Sequence, residues 1–177
     1  MLEFYHGTVD AFLPAILNDG LQPVEGNMWD ATKMHSPSNY NPKRDDPKGY
    51  VHFTPDAAYA AMYALGKANY FRAEPGSEFN ALGMTFTKGT NAPMIPNAKP
   101  VLLKAKFTDA EQERIYLDTQ DSRGIQFAGK IPHGRIAVLS FNDAVNIQVD
   151  RTILAKMDEA YWKGIFKKPT ELVKVFV

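Results

Sequence analysis

Tyr50-Val51-His52-Phe53-Thr54-Pro55-Asp56 carries the chain from a strand into a helix. Tyr50 to Phe53 is a short β-rich run with period two. Thr54 suits an N-cap, Pro55 the first helical position, and Asp56 in the first turn complements the helix dipole. The spacing predicts a helix from here to about Phe71, with Ala58, Ala61, Met62 and Leu65 forming one face at i, i+3, i+4 and i+7. The same order stands at the start of the chain. Leu2 to Tyr5 reads as a strand leading into His6-Gly7-Thr8. A helix follows, with Val9, Phe12, Leu13, Ile16 and Leu17 at helical spacing, Asp10 as N-cap, Pro14 near the first turn and Gly20 closing it. Each unit places a histidine, His6 or His52, at or near the end of a strand that feeds a helix.

Outward from these units the pattern is less regular. Gln22 to Lys48 is rich in Asn, Pro, Asp and Lys and longer than most connections in compact domains, as a functional loop would be. Glu74 to Lys99, with Gly76, Gly83, Gly89, Pro93 and Pro96, reads as a second structureless stretch that could serve as a lid or substrate loop. The C-terminal half reads mainly as strands: Val101 to Phe107, Ile115 to Leu117, Ile125 to Ala128 and Arg135 to Phe141. A helix is expected from about Asp150 to Gly164, with Ile153, Leu154, Met157 and Tyr161 on one side, and a last strand over Glu171 to Val177. Helices early and strands later, without regular alternation, indicate an α+β fold. No repeat or composition break divides the chain, so residues 1–177 are expected to form one domain.

Composition narrows the function classes. A chain of 177 residues with 45% apolar content can bury about 70% of its unfolded surface. It has no cysteine, which excludes disulfides, thiolate metal sites and a cysteine nucleophile. Twenty basic and twenty acidic side chains cancel, so no global field steers the protein toward nucleic acid or an anionic membrane. With no apolar window long enough to span a bilayer and no leader-like start, the expectation is a soluble, cytoplasmic monomer without a membrane partner.

The four histidines show no metal-ligand spacing, so no metal site is expected. A Gly-rich phosphate loop, a Gly-x-Gly-x-x-Gly turn and a Gly-x-Ser-x-Gly elbow are all missing. What remains is the pair His6 and His52. A histidine at a strand end is more often structural than catalytic, and a tyrosine on an Ala-rich helix is commonly core; it is the joint spacing that singles these residues out.

Tyr5-His6-Gly7-Thr8, followed by Ile16-Leu17 and Gly20-Leu21, resembles the opening motif of the diphtheria-toxin-like ADP-ribosyltransferase superfamily, which includes the poly- and mono-ADP-ribosyltransferases and the RNA 2′-phosphotransferases. The second block is similar as well. In the polymerase branch a Gly-x-Tyr-Phe segment precedes a helix with a second tyrosine eleven positions on; here Val51-His52-Phe53-Thr54 fills the segment and Tyr63 lies eleven residues after His52. Histidine in place of the first tyrosine resembles the phosphotransferases, whose strand reads His-Val-His-Leu-Ser. A third block, Pro100-Val101-Leu102-Leu103 with Gly124-Ile125-Gln126-Phe127 and Ile131-Pro132, resembles the central strand and the strand that carries a catalytic glutamate in polymerases and toxins. Gly124 falls at the glutamate's position; the phosphotransferases also lack the acid there. The three blocks cover roughly Leu2 to Ile136.

The resemblance implies a fold of split antiparallel β-sheets with flanking helices and NAD as co-substrate. It implies that His6 hydrogen-bonds a ribose hydroxyl, that the Gly7 backbone approaches the nicotinamide carboxamide, that Tyr63 stacks on the nicotinamide ring and that His52 supplies a second, more polar face. Thr8 is a lesser candidate near the adenosine-side ribose. Gln126, with Asp121, Glu111 and Glu113, lies toward the acceptor side; of these Gln126 is the candidate catalytic residue, the others reading as solvated charges. Lys43 to Asp46 reads as a solvated loop from which Arg44, or Lys48 beyond it, would meet the pyrophosphate. His35 and His133 read as surface.

Departures from the family pattern shape the expected reaction. Ala60 replaces a serine that fixes the carboxamide, and the missing acid at Gly124 speaks against polymer synthesis. The phosphotransferases carry an N-terminal lobe with an Arg-His pair, whereas five residues precede His6 here, so removal of a tRNA 2′-phosphate is not the expected activity. The favoured expectation is mono-ADP-ribosyl transfer to a protein or nucleic-acid acceptor with release of nicotinamide. An NAD glycohydrolase and a degenerate protein that binds NAD, ADP-ribose or a partner are the alternatives.

Overall fold

The computed structural model of the chain describes residues 1–23, 34–35, 50–118 and 121–164. Strand β1 (Leu2–Val9) runs straight through His6-Gly7-Thr8 to Val9, four residues further than its apolar start suggests, and a 3-10 turn over Asp10–Phe12 leads into helix α1 (Leu13–Asp19). Asp10 is therefore no helix cap. Its backbone N–H donates to the Lys99 carbonyl at 2.9 Å and its Oδ1 accepts from Lys99 N–H at 2.9 Å, which ties the end of β1 to the start of its partner strand. Two long-range bonds satisfy Asp10 better than one local cap. Of the apolar residues at helical spacing only Ile16 is buried in α1; Val9 belongs to the strand, and Phe12 and Leu17 stay exposed.

The remaining elements follow in order: β2 (Met34–His35), β3 (Val51–Phe53), α2 (Ala57–Arg72), β4 (Glu78–Ala81), β5 (Met84–Lys88), β6 (Pro100–Phe107), β7 (Ile115–Leu117), β8 (Ile125–Phe127), β9 (Ile136–Leu139), α3 (Phe141–Asn146) and α4 (Arg151–Trp162). They build three small antiparallel sheets, β1-β6-β9, β3-β8-β7 and β2-β5-β4. This mixture of helices and antiparallel strands is compatible with the expected α+β class. The first two sheets are joined edge to edge at one point, where Tyr5 N–H donates to the Thr54 carbonyl at 2.8 Å and Thr54 N–H returns a bond to the Tyr5 carbonyl at 3.0 Å.

Alternation along the strands sets the core. Leu2 and Phe4 on β1, with Leu103, Ala105 and Phe107 on β6, face Val51, Phe53, Ile125 and Phe127 of the second sheet. Phe107 is the hub: its ring meets Phe4, Phe53 and Phe127 edge-on at 5.3, 5.0 and 5.1 Å. Such pairs contribute about 0.5–1.5 kcal/mol each beyond the area they bury. Met157 of α4 closes this core from outside, with Ile153 and Ala160 packed against it.

The other face of β1 receives α2. The buried residues of this helix are Ala57, Ala60, Ala61, Ala64, Gly66, Ala68, Tyr70 and Phe71, while Ala58, Met62 and Leu65 are exposed. As far as Ala68 the buried residues are all small, and the larger Met62 and Leu65 at helical spacing are not among them, because the helix lies too close to the strand to admit bulk. Gly7 marks the tightest approach: a Cβ there would stand 2.3 Å from the Ala60 carbonyl oxygen and 2.6 Å from the Ala64 nitrogen. The cap of α2 is Asp56, not Thr54; its Oδ1 accepts from the N–H groups of Ala58 and Tyr59, and Thr54 Oγ1 accepts from Asp56 N–H.

Glu74 to Lys99 is not structureless. It holds the β4–β5 hairpin, whose Phe79 and Phe86 stack at 5.7 Å and pack with Tyr70 and Phe71 of α2. Buried Lys88 of β5 donates from Nζ to the Ala73 carbonyl at 2.7 Å, placing a cation at the C-terminal end of α2. Of the long loop Gln22 to Lys48, the described residues include Met34–His35, which pairs with β5; Lys43 to Lys48 and the expected strand Glu171 to Val177 lie outside the described residues. The strand expected to run to Phe141 ends at Leu139, and Phe141 instead opens helix α3, capped by Ser140, whose hydroxyl accepts from Asp143 N–H. Among the described residues no helix is long and apolar enough to cross a membrane.

Gly7→Ala forces its new methyl into helix backbone that cannot rotate aside. The expected loss is about 1–3 kcal/mol in urea unfolding, larger than an exposed Gly→Ala change gives; an unchanged midpoint would mean that α2 does not lie on β1 at this distance.

A histidine pair and two carboxylates at the sheet junction

One residue beyond the Tyr5–Thr54 bridge on β1 and two before it on β3 stand His6 and His52. The ring Nδ1 of His6 lies 2.7 Å from the carbonyl oxygen of His52. A carbonyl only accepts, so His6 carries its proton on Nδ1 and keeps Nε2 as an acceptor. The ring packs 5.6 Å from that of Phe53. Burial, with the Lys67 ammonium adding to it, pulls the His6 pKa down to about 3, so the imidazole is neutral throughout the physiological range.

His52 alternates with the core residues Val51 and Phe53 and therefore faces the opposite side of its sheet, where its cross-strand neighbour is Gln126 and the next is Tyr116. Its Nδ1 lies 2.7 Å from Oδ2 of Asp118, a buried carboxylate just beyond the end of β7. Gln126 Nε2 approaches the other oxygen, Oδ1, at 3.5 Å, the outer limit of a hydrogen bond. Asp118 is pressed against Gly124. A Cβ on Gly124 would come within 2.6 Å of the Asp118 Cβ and 2.8 Å of its Oδ2. The position where the sequence lacks an acid is thus the position against which a neighbouring strand lays one.

Helix α2 supplies a third wall. Tyr59, Tyr63 and Lys67 follow at four-residue spacing and so share one stripe of the helix. The Tyr59 hydroxyl donates to Asp121 Oδ2 at 2.5 Å, and the two tyrosine rings meet edge-on at 6.4 Å. Burial and the nearby Asp121 carboxylate raise the Tyr59 pKa; burial, with Asp118 and Asp121, raises that of Tyr63 well above its ordinary value. Burial likewise raises the carboxyl of Asp121, against the Tyr59 hydrogen bond. Arg123 balances part of this charge, its guanidinium 5.6 Å from the Tyr59 ring centroid and 3.8 Å from Asp56 Oδ2. Lys67 lies with its Nζ 5.7 Å from the Phe12 ring centroid, and burial lowers its pKa to about 8.

Of the residues singled out in the sequence, His6, His52 and Gln126 are brought to one junction, and Tyr63 is within electrostatic reach of Asp118. Gly7 sits beside His6, with packing on α2 as a sufficient reason for its identity. Thr8 is buried on β1 opposite Val101. Asp121, read as solvated surface, is instead bonded to Tyr59. Glu111 is held away from the junction by Arg135, whose Nη2 donates to Oε1 at 2.7 Å, and this pairing draws its carboxyl down to about 2. His133 is exposed, as expected of a surface residue; Arg44 and Lys48 lie outside the described residues. Asp118 and Lys67 went unnoticed. Lys67 was legible as the third member of the 59-63-67 stripe, whereas Asp118 looks like any polar residue ending a strand. Among the described residues no cluster of three His, Asp or Glu side chains is arranged to hold a metal.

Burial of neutral His6 makes stability pH-dependent. The unfolded chain binds a proton as pH falls through 6.5, and the folded chain does not until about 3. The contribution is complete above 6.5 and is lost toward acid by up to about 1.4 kcal/mol per pH unit. Urea unfolding between pH 6.5 and 5 is expected to show a steeper loss for the wild type than for His6→Gln. Parallel curves would mean that His6 is not buried neutral.

Compared with protein-family models and with curated proteins, the chain matches none.

Proposed function

We propose that the chain is an NAD-dependent mono-ADP-ribosyltransferase that moves ADP-ribose from NAD to a protein or nucleic-acid acceptor and releases nicotinamide. The observation that supports this reading most is the junction itself. The two histidines of the two resembling blocks stand side by side, His6 Nδ1–H donating to the His52 carbonyl, with two carboxylates and the tyrosines of α2 beside them.

The chemistry suits such a site. Breaking the glycosidic bond sends its electron pair to the nicotinamide, which leaves neutral, and develops positive charge on the ribose. Neutral His6, its proton committed to the His52 carbonyl, would accept a ribose O–H at Nε2 and orient the sugar. Tyr63 would offer its ring face to the nicotinamide, a cation before cleavage. Asp118 and Asp121 bring negative charge to the region where the oxocarbenium forms, and in a site of low polarity fixed charges act strongly and need no reorganisation. Chain elongation is not part of the proposal, since Gly124 offers no side chain to an incoming ADP-ribose hydroxyl.

Incubation of the protein with NAD labelled in the adenosine portion, in a lysate containing RNA and DNA, is expected to give free nicotinamide together with macromolecule-bound label. Both should fall about 10²-fold or more in His6→Ala, the size of effect seen when one group contacting the transition state is removed. Tyr63→Ala should mainly raise the KM for NAD. Nicotinamide without bound label would make the protein a glycohydrolase. Turnover unchanged by His6→Ala would refute the site.

A further inference from the structure

Three features of the junction are left unexplained by NAD binding alone: the direct His52–Asp118 bond, the fit of Asp118 against a glycine, and the state of the second imidazole nitrogen. Nε2 of His52 is buried and has no hydrogen-bond partner among the described residues. Buried polar atoms are nearly always paired, so this one calls for a partner, and a group of the bound reactants can supply it. The other nitrogen decides what kind of group. An ionised carboxylate only accepts, so Asp118 requires the proton on Nδ1, and the neutral ring then has its lone pair on Nε2. The waiting partner is therefore a donor, an O–H or N–H.

We infer that His52 is the proton acceptor for the incoming nucleophile and that Asp118 is its positioning residue, holding the ring in the Nδ1–H tautomer and stabilising the imidazolium that forms. The inference rests on the transferase reading and adds to it how the acceptor is activated without an acid at residue 124. In the step, the nucleophile's O–H proton passes to His52 Nε2 while its oxygen bonds to ribose C1′. The C1′–N bond breaks, and its electron pair leaves with nicotinamide. The imidazolium is paired with Asp118 until the proton returns to solvent, and no further reactant is needed. Gly124 is required by this arrangement, because any side chain there would occupy the place of the Asp118 carboxylate. The site thereby favours acceptors that present a protonated hydroxyl or amide.

The test uses two variants and two readouts. Asp118→Asn preserves shape and removes charge; Gly124→Ala keeps the charge and displaces the carboxylate. In ¹⁵N-histidine NMR the wild type is expected to show His52 with Nδ1 protonated and Nε2 bare, a state lost or mixed in both variants. Nicotinamide release from NAD with water as nucleophile should fall about 10²–10⁴-fold in Asp118→Asn, the usual worth of a general base. Sodium azide, an anion that needs no deprotonation, should restore release in that variant and add little to the wild type. An Nε2–H tautomer in the wild type, or a variant that binds NAD but is not revived by azide, would overturn the inference. A wild-type protein that releases no nicotinamide at all would instead overturn the transferase reading, while the tautomer still reports on the pair.

Discussion

The reciprocal backbone hydrogen bond between Tyr5 and Thr54 is the constraint on which the rest depends. It is the one point among the described residues where an edge of the first sheet is paired with an edge of the second, and it fixes the relative register of β1 and β3. Because the bridge joins Tyr5 to Thr54, the next residue on β1 and the second residue back on β3 are the two histidines, and the His6 ring meets the carbonyl of His52.

A second contact makes this junction into a site. With no Cβ on Gly7, helix α2 settles directly on β1, and its small buried face keeps it there. The helix then has one rotation, and that rotation turns Tyr59, Tyr63 and Lys67 along the same side. The β7–β8 segment comes to meet them, placing Asp121 on Tyr59 and Asp118 on His52. The result is a polar enclosure in which charges are held by partners on other strands: a neutral His6, a carboxylate on His52, and a tyrosine hydroxyl committed to Asp121. Each group is partly desolvated, so each depends on its neighbour more than it would at the surface.

Most strands of the β1-β6-β9 and β3-β8-β7 sheets can be read from the chain, because Val101 to Phe107, Ile115 to Leu117 and Ile125 to Phe127 carry clear apolar runs between turn residues. Helix α2 was located almost to its ends, yet its buried face was misjudged. Periodicity weighs Met62 and Leu65 above alanine, whereas a helix pressed against a strand needs alanine and glycine at the contact. The β4–β5 hairpin is hidden for a related reason: two strands of four and five residues, each with one phenylalanine, carry little pattern until Phe79 and Phe86 are seen to pack on α2. Asp10 shows the same limit at a single residue, its carboxylate drawn away from a local cap by the backbone of Lys99.

The sequence by itself determined the α+β class, the two strand-into-helix units, the absence of thiol chemistry and the candidacy of His6, His52, Tyr63 and Gln126, since these depend on local spacing and residue type. Only the tertiary structure decided which groups hold those candidates in place. Asp118 lies sixty-six residues from His52 in the chain, and nothing local distinguishes it from other aspartates. Its place beside His52 follows from the pairing of β3, β8 and β7 and from the space left by Gly124, which are long-range properties. The proton position on His6 was decided in the same way, because a ring nitrogen facing a carbonyl must carry the proton, and folding brings the His52 carbonyl to it.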